Sequence, residues 1–241
     1  MSSAFIPGLP ASFRFDFPNA YTAAMNLPLF FNSLETTIFM ALGAALSATL
    51  IGAVLSYAAL RRRATGARLI EYVTSIPLAF PGVVYGLAVF WTFLLLPGIN
   101  LIYGTIWPLV ISLTFIRLPY STRIISGNLV QISDDLEEAS QVGGASFLRT
   151  FWRVLAPLMK PGLANSFAYI FVDSMRELGG VIILVTPGTL VYTTLLLDFY
   201  ESHALVTSVL SVGSVILTAI IVAALIAMHF FQRYWGGGES R

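Results

Sequence analysis

Hydrophobic residues dominate five long stretches of this chain, and short polar segments separate them. The stretches cover about residues 36–60, 70–95, 105–125, 161–184 and 205–231. About 20 apolar residues span the hydrocarbon core of a bilayer as a helix, and only internally hydrogen-bonded backbone is stable there. The pattern therefore predicts an all-α, polytopic membrane protein with about five transmembrane helices. Pro77 and Pro81 are expected to kink the second one.

The remaining segments define the expected domain organisation. We expect residues 1–33 to form an extracytoplasmic leader or interfacial segment, 34–232 a single transmembrane domain, and 233–241 a cytoplasmic tail. The segment 186–203, TPGTLVYTTLLLDFYESH, is too polar and too marked by Pro and Gly for a clean span. It is expected to form a re-entrant turn or an interfacial helix.

Composition supports a membrane protein and excludes several kinds of site. The chain is 57% hydrophobic and 10% charged, whereas soluble domains carry about 25% charged residues. It contains no cysteine, which excludes disulfides and thiolate metal sites, and its two histidines show no metal-ligand spacing. No metal site and no nucleic-acid partner are therefore expected.

The basic residues predict the orientation of the chain in the membrane. They concentrate in the first and third connections and at the C-terminus: Arg61, Arg62, Arg63, Arg68, Arg149, Arg153, Lys160, Arg233 and Arg241. The opposite side holds only Arg14. By the positive-inside rule, the N-terminus lies outside an inner (plasma) membrane, and the C-terminus and residues 136–158 lie in the cytoplasm.

The cytoplasmic stretch LEEASQVGGASFLRTFWRVLAPL (136–158) predicts two short helices joined by a sharp bend. Asp134 and Glu137 have capping-box spacing at the start of the first helix, which is expected to display Glu137 and Glu138 outward. Gly143 and Gly144 end this helix, and a second one is expected over 147–155, ending at Pro157. On this physics alone, the stretch is also compatible with an interfacial amphipathic loop that only connects two spans.

The spacing within this stretch resembles the signature loop of ABC importer permeases, the inner-membrane components of binding-protein-dependent transport systems. That motif reads Glu-Ala-Ala, three residues, Gly, nine residues, then Ile-x-Leu-Pro. This chain has Glu138-Ala139-Ser140, three residues, Gly144, nine residues, and Val154-Leu155-Ala156-Pro157. The spacing is kept throughout, with Ser140, Val154 and Ala156 as mild substitutions.

The resemblance implies a type I ABC importer fold in which the loop, about 133–157, forms coupling helices that dock on a separate ATPase subunit. The residues it assigns to this contact are Glu137, Glu138, Ala139, Ser140, Gly143, Gly144, Arg149 and Pro157. It also implies a dimer of ATPase subunits, a second permease subunit of the same or a homologous chain, and an extracytoplasmic solute-binding protein. The runs RLPYSTR and SMREL are similar to permeases for iron(III), thiamine, polyamines and phosphonates, and iron(III) is the best guess for the solute.

ATP hydrolysis is not expected in this chain. A P-loop needs a lysine after its second glycine, and the sole lysine, Lys160, lies between Met159 and Pro161. No catalytic residue and no cofactor are therefore assigned to this chain, and ATP and Mg²⁺ are expected on the partner subunit.

Four charged residues within predicted spans form the second candidate site. Asp173, Arg176 and Glu177 fall in the fourth span and Arg117 in the third, where a charge costs about 2.5–3.5 kcal/mol on insertion scales. Arg176 can pair with Asp173, three residues earlier on the same helix. The four residues either form a self-neutralising patch that fixes helix packing or line the translocation pathway or its gate. Arg117 is expected either to snorkel to the interface or to pair with an acid on a neighbouring helix.

Two other classes of protein fit the sequence less well. An ion-gradient-driven secondary transporter would also place ionisable groups in the membrane, but it is typically built from inverted repeats, and no repeat is evident. A membrane-embedded enzyme would need a catalytic constellation, and neither an HExxH motif nor a paired-histidine site occurs in the sequence.

Overall fold

The computed structural model describes residues 28–60, 67–201 and 207–236, and within these residues it contains helices and turns only. The predicted leader up to residue 27, the arginines at 61–63 and the tail from residue 237 lie outside the described residues. The helices are α1 (Pro28–Leu60), α2 (Ala67–Ser75), α3 (Gly82–Leu95), α4 (Trp107–Leu129), α5 (Asp135–Val142), α6 (Phe147–Thr150), α7 (Ala156–Met175), α8 (Tyr192–Glu201) and α9 (Thr207–Gly236). Three short elements complete them: 3₁₀ turns at Ile76–Ala79 and Asn100–Ile102, and a π-helical turn at Phe151–Leu155.

The long central helix α1 organises the fold. Its small residues, among them Ala41, Ala44, Ala45 and Ala48, are fully buried, because α4 and α7 approach it closely on two sides. The apolar cores lie around it: one between α1, α7, α8 and α9, and another between α1, α4 and residues 181–191. A third core lies at the end of α1 nearest α5 and comprises Tyr57, Ile125, Leu129, Leu155 and Met159.

The second predicted span is bent, as its prolines suggested. Pro77 lies in the 3₁₀ turn Ile76–Ala79, and the helical segments Tyr72–Ala79 and Gly82–Leu95 meet at 111° across Phe80 and Pro81. Proline lacks the N–H needed to continue the α-helical ladder, so the helix breaks between Ser75 and Gly82.

By length and composition alone, one described helix, Leu29–Leu60, can cross a membrane, and the bent pair Tyr72–Ala79 and Gly82–Leu95 would make a second. The helices α4 and α7 also occupy predicted spans, but they contain buried polar groups such as Ser112, Ser121 and Ser166. These hydroxyls are hydrogen-bonded between helices, with Ser166 donating to Ser121 at 2.9 Å. Packing inside the bundle therefore compensates for their lower hydrophobicity.

Two predicted helix ends differ from the structure. The first span was expected from about residue 36, but α1 begins at Pro28, so residues 28–33 of the predicted leader are helical. The fourth span was expected to run to residue 184, but α7 ends at Met175 and turns follow it. Segment 186–203 contains α8, whose first residue, Tyr192, is fully buried against Phe30 of α1 at a ring-centroid distance of 5.2 Å. The start of α8 therefore lies in the core of the bundle.

Candidate functional site

The segment 133–157, which we call the elbow, makes a sharp and well-bonded bend after α5. Gly144 has φ +79°, a left-handed conformation that residues with a Cβ rarely adopt. Its N–H donates to the carbonyl oxygen of Gln141 at 2.9 Å, and the Ala145 N–H donates to that of Ser140 at 3.1 Å. The Ser140 and Thr150 hydroxyls lie 2.9 Å apart and join the two arms of the bend. The turn predicted at Gly143 and Gly144 is confirmed.

The two neighbouring acids of the elbow have different surroundings. Glu138 is exposed, as predicted, together with Ala139. Glu137 is half-buried, and its Oε1 accepts a hydrogen bond from the Tyr57 hydroxyl of α1 at 2.9 Å. The prediction that Glu137 points outward is therefore wrong, because its carboxylate is turned toward Tyr57 of α1.

The start of α5 is also capped differently from the prediction. The Asp134 side chain makes no capping hydrogen bond. Instead the Ser133 hydroxyl accepts the Asp135 N–H at 3.2 Å and donates to the Asp135 carboxylate at 3.0 Å. The serine side chain thus satisfies one of the N–H groups left free at a helix start.

The elbow exposes large apolar side chains as well as Glu138. Val142 is 89% exposed, Trp152 65% and Leu136 46%. Arg149 and Arg153 are exposed as well. Because an exposed apolar patch mixed with charges is typical of a protein–protein contact, the elbow has the chemistry of a docking surface.

The second arm of the elbow does not end at Pro157. After α6, the π-helical turn Phe151–Leu155 leads directly into α7, with Pro157 in its first turn. Proline is tolerated in a first helical turn, since the N–H that it lacks would have no partner there. The elbow is therefore continuous with α7.

Four charged residues form a group that we call the ion cluster: Arg117, Asp173, Arg176 and Glu177. Arg117 Nη1 lies 2.7 Å from Asp173 Oδ2, and its Nη2 donates to Glu177 Oε2. The Arg117 side chain is 10% exposed, and each of these two carboxylates is 15% exposed. Of the two expectations for Arg117, pairing with a neighbouring helix is therefore correct and snorkelling is wrong.

Arg176 completes the cluster from its exposed side. Its Nη2 lies 2.9 Å from Asp173 Oδ1, which confirms the predicted pair three residues apart. The Arg176 side chain is 64% exposed, so this pair is accessible to solvent or ligand in a way that the Arg117 pairs are not.

The acids of the cluster also stabilise the break at the end of α7. Glu177 follows the helix, and its Oε1 accepts the Gly180 N–H at 2.9 Å. Its backbone carbonyl accepts a hydrogen bond from the Thr193 hydroxyl at 2.8 Å. A helix C-terminus carries partial negative charge and repels carboxylates, so the Arg117 guanidinium offsets an otherwise unfavourable placement of Asp173 and Glu177.

Two glycines of α3 pack directly on this break, a contact that sequence reasoning missed. A Cβ on Gly86 would lie 3.1 Å from the Gly180 carbonyl oxygen, and one on Gly82 would lie 3.3 Å from the Gly179 carbonyl carbon. The Gly-x-x-x-Gly spacing of Gly82 and Gly86 is the signal that could have predicted close packing. The ion cluster is thus placed where α3, α4 and α7 meet.

A metal centre does not accompany these groups in the described part of the chain. Among residues 28–60, 67–201 and 207–236, no three His, Cys, Asp or Glu side chains are grouped so that they could hold an ion.

Known proteins are similar to this chain in sequence and in fold. Ferric transport system permease protein FbpB of Actinobacillus pleuropneumoniae is 30% identical over 208 residues, covering 86% of this chain but 29% of that protein. Molybdenum transport system permease protein ModB of Mycobacterium tuberculosis is 25% identical over 245 residues, covering 98% of this chain and 91% of the relative. The chain therefore spans less than a third of the ferric relative's length and most of the molybdenum relative's.

A solved structure of the MetNI methionine ABC transporter has the same fold, with a TM-score of 0.67 at 20% identity over 86% of this chain and 96% of that one. The resemblance to ABC importer permeases and the all-α, type I importer fold are confirmed. The family model described as binding-protein-dependent transport system inner membrane component matches residues 48–236, and the chain belongs to this family.

Proposed function

We propose that this chain is the permease subunit that forms half of the translocation pathway of an ATP-driven importer, and that the elbow docks on a separate ATPase subunit. ATP and Mg²⁺ act on that partner, and a soluble binding protein delivers the solute. A second permease subunit, either the same chain or a homologous one, completes the pathway.

The observation that carries this proposal is the elbow itself. Glu138, Val142 and Trp152 are exposed around a bend that the left-handed Gly144 fixes. A rigid surface is suited to receive a push, and its continuity with α7 gives that push a route into the bundle. ATP binding would draw two elbows together and tilt the helices toward the binding protein, and hydrolysis would reset them.

The ion cluster is suited to act as part of a gate. Glu177 holds the Gly179–Gly180 turn against α3 and is itself held by Arg117 of α4. Irregular backbone within a membrane protein occurs where protein or a water-filled cavity satisfies it, as at this turn. The sequence also allows a patch that only fixes helix packing. In that case, substitutions in the ion cluster would impair folding, and the protein that still assembles would transport normally.

For the solute, we propose iron(III). This choice rests on the ferric transport permease, which is 30% identical to this chain, whereas the molybdenum permease covers nearly the whole chain at 25% identity. The two names indicate small inorganic ions as the class, and iron(III) as the first to test.

The proposed orientation keeps the N-terminus outside and the C-terminus in the cytoplasm. The Tyr57–Glu137 contact supports it, because it brings the elbow beside the end of α1, after which Arg61, Arg62 and Arg63 follow. The basic residues of both connections then share one side of the membrane, as the positive-inside rule requires.

Co-purification tests the docking proposal. The tagged full chain, extracted from its own membranes in mild detergent, is expected to retain an ATPase subunit, and Glu138→Arg is expected to release it. Arg233→Glu, an equally large charge change far along the chain, is the control. If Glu138→Arg retained the ATPase at the wild-type ratio, the elbow would not be the docking site.

A transport assay distinguishes the importer from a secondary transporter. Uptake into cells is measured after a protonophore collapses the proton gradient while ATP is maintained. Continued uptake supports the importer, and arrest of uptake with ATP present supports the gradient-driven alternative.

A further inference from the structure

We propose that Tyr57 and Glu137 form a joint through which the elbow moves α1. This role rests on the proposed docking of the elbow to an ATPase subunit. It assigns Glu137 to transmission within the chain, whereas Glu138 beside it contacts the partner.

The joint is a specific contact between distant parts of the sequence. The Tyr57 hydroxyl donates to Glu137 Oε1 at 2.9 Å across 80 positions of the chain. The edge of the tyrosine ring also meets Phe151, with centroids 5.9 Å apart and planes at 82°. Tyr57 is 8% exposed, so its ring is fixed in the core that also holds Leu155.

Few other side-chain contacts attach helix α5 to the bundle. It has no buried residue, and all of its side chains are exposed except those of Glu137 and Ser140. Ser140 bonds to Thr150 within the elbow, so it ties α5 to the second arm. Glu137 reaches outside the elbow to α1, and a displacement of α5 is therefore transmitted to α1 through Tyr57.

From Tyr57, displacement spreads into the centre of the bundle. On α1, the Ser47 hydroxyl lies 2.6 Å from that of Thr114 on α4, and the Thr49 hydroxyl lies 3.3 Å from that of Ser166 on α7. The second arm of the elbow reaches α7 independently, through the π-helical turn Phe151–Leu155. The joint therefore lets one push act on α1 and α7 together.

The removal of one hydroxyl tests the joint with little disturbance of packing. Tyr57→Phe keeps the ring against Phe151 and deletes only the donor. A hydrogen bond to a charged group contributes enough that its loss is expected to lower the solute transported per ATP hydrolysed by about tenfold. The measurement uses proteoliposomes containing the assembled transporter with its ATPase and binding protein.

A double-mutant cycle shows whether the two residues act as one unit. Glu137→Ala is expected to reproduce the Tyr57→Phe loss, and the double variant is expected to be no worse than either. Glu137→Gln keeps an acceptor oxygen and is expected to restore most of the yield. Tyr72→Phe, on a side chain that is 71% exposed, is the control for loss of a tyrosine hydroxyl.

The outcomes separate this inference from the docking proposal. If the wild-type chain retains no ATPase, docking fails and the joint with it. If the transporter assembles and Tyr57→Phe transports at the wild-type yield, or the losses in the double variant multiply, only the joint is overturned. Loss of the ATPase subunit from Tyr57→Phe would place the hydroxyl in assembly and would also overturn it.

Discussion

The ion cluster and the elbow both contain acidic and basic residues, but the surroundings of these residues differ. In the ion cluster, Arg117 is 10% exposed, and both of its carboxylate partners belong to the same chain. In the elbow, Glu138 is exposed, and so are Val142 and Trp152, at 89% and 65%. The carboxylates of the first region are paired within the chain, whereas the charged and apolar groups of the second remain exposed.

The difference follows from the cost of desolvation. A charge removed from water must be paired and hydrogen-bonded, so the cluster at the end of α7 requires Arg117 in place. A charge on an exposed elbow keeps its water until a partner replaces it. Substitutions in the cluster should therefore affect folding, and substitutions in the elbow should affect assembly.

The largest effect is expected for Arg117→Met. It leaves Asp173 and Glu177 buried without their shared cation, and removal of one partner from a buried pair costs about 3–5 kcal/mol. Thermal unfolding in detergent measures the loss. Arg176→Met, on a side chain that is 64% exposed, is the control and should cost about 0–1 kcal/mol. Equal melting temperatures for the two variants would show that burial does not distinguish them.

A second substitution tests the close packing of α1 against α4. A Cβ on Gly52 of α1 would lie 2.8 Å from the Cβ of Ser121 on α4, whose hydroxyl accepts from Ser166. Gly52→Ala should therefore destabilise by about 1–3 kcal/mol.

The matched control is Gly127→Ala, since a Cβ there meets no atom within 4 Å. It should be neutral or slightly stabilising in the same unfolding measurement, because alanine favours a helix more than glycine does. If both alanines had the same effect, the contact between α1 and α4 would be looser than the structure has it.

Gly144→Ala sharpens the elbow side of the comparison. Its φ of +79° disfavours any Cβ, so the bend should lose about 1–2 kcal/mol of local stability. We expect weaker retention of the ATPase subunit with little change in the melting temperature of the bundle. Gly143→Ala, at φ −68°, should retain the ATPase better, and the reverse order would argue against a rigid bend.

The smallest effect on folding is expected for Glu138→Gln. The side chain is exposed, and surface substitutions of this kind change stability by less than about 0.5 kcal/mol. ATPase retention, measured by quantitative immunoblot after purification, should nevertheless fall. If Glu138→Gln lowered the melting temperature but kept the ATPase subunit, the proposed assignment of folding to the ion cluster and assembly to the elbow would be wrong.

The sequence predicted the elements better than their ends. Hydrophobic length located α1, α4, α7 and α9, and the prolines located the bend between α2 and α3. The end of α7 at Met175 was missed, because Val181, Leu184 and their apolar neighbours extend the hydrophobic run beyond the helix. Hydropathy indicates which residues are buried but not whether their backbone is helical. Here the buried residues after Met175 form a turn, so hydropathy did not locate the end of α7.

For the candidate sites, local spacing was informative and long-range pairing was not. The positions of Glu138 and Gly144 predicted the elbow, and the interval from Asp173 to Arg176 predicted their pair. The contact of Tyr57 with Glu137 crosses 80 positions, and that of Arg117 with Glu177 crosses 60. Periodicity along the chain carries no signal for either.

By itself, the sequence determined that this protein is a helical membrane protein with the signature loop of ABC importer permeases, because composition, hydrophobic length and residue spacing are local properties. Only the tertiary structure decided which acid faces outward, that Arg117 is shared between two carboxylates, and that the elbow continues into α7. These depend on which helices lie side by side, and that is set by packing of the whole bundle.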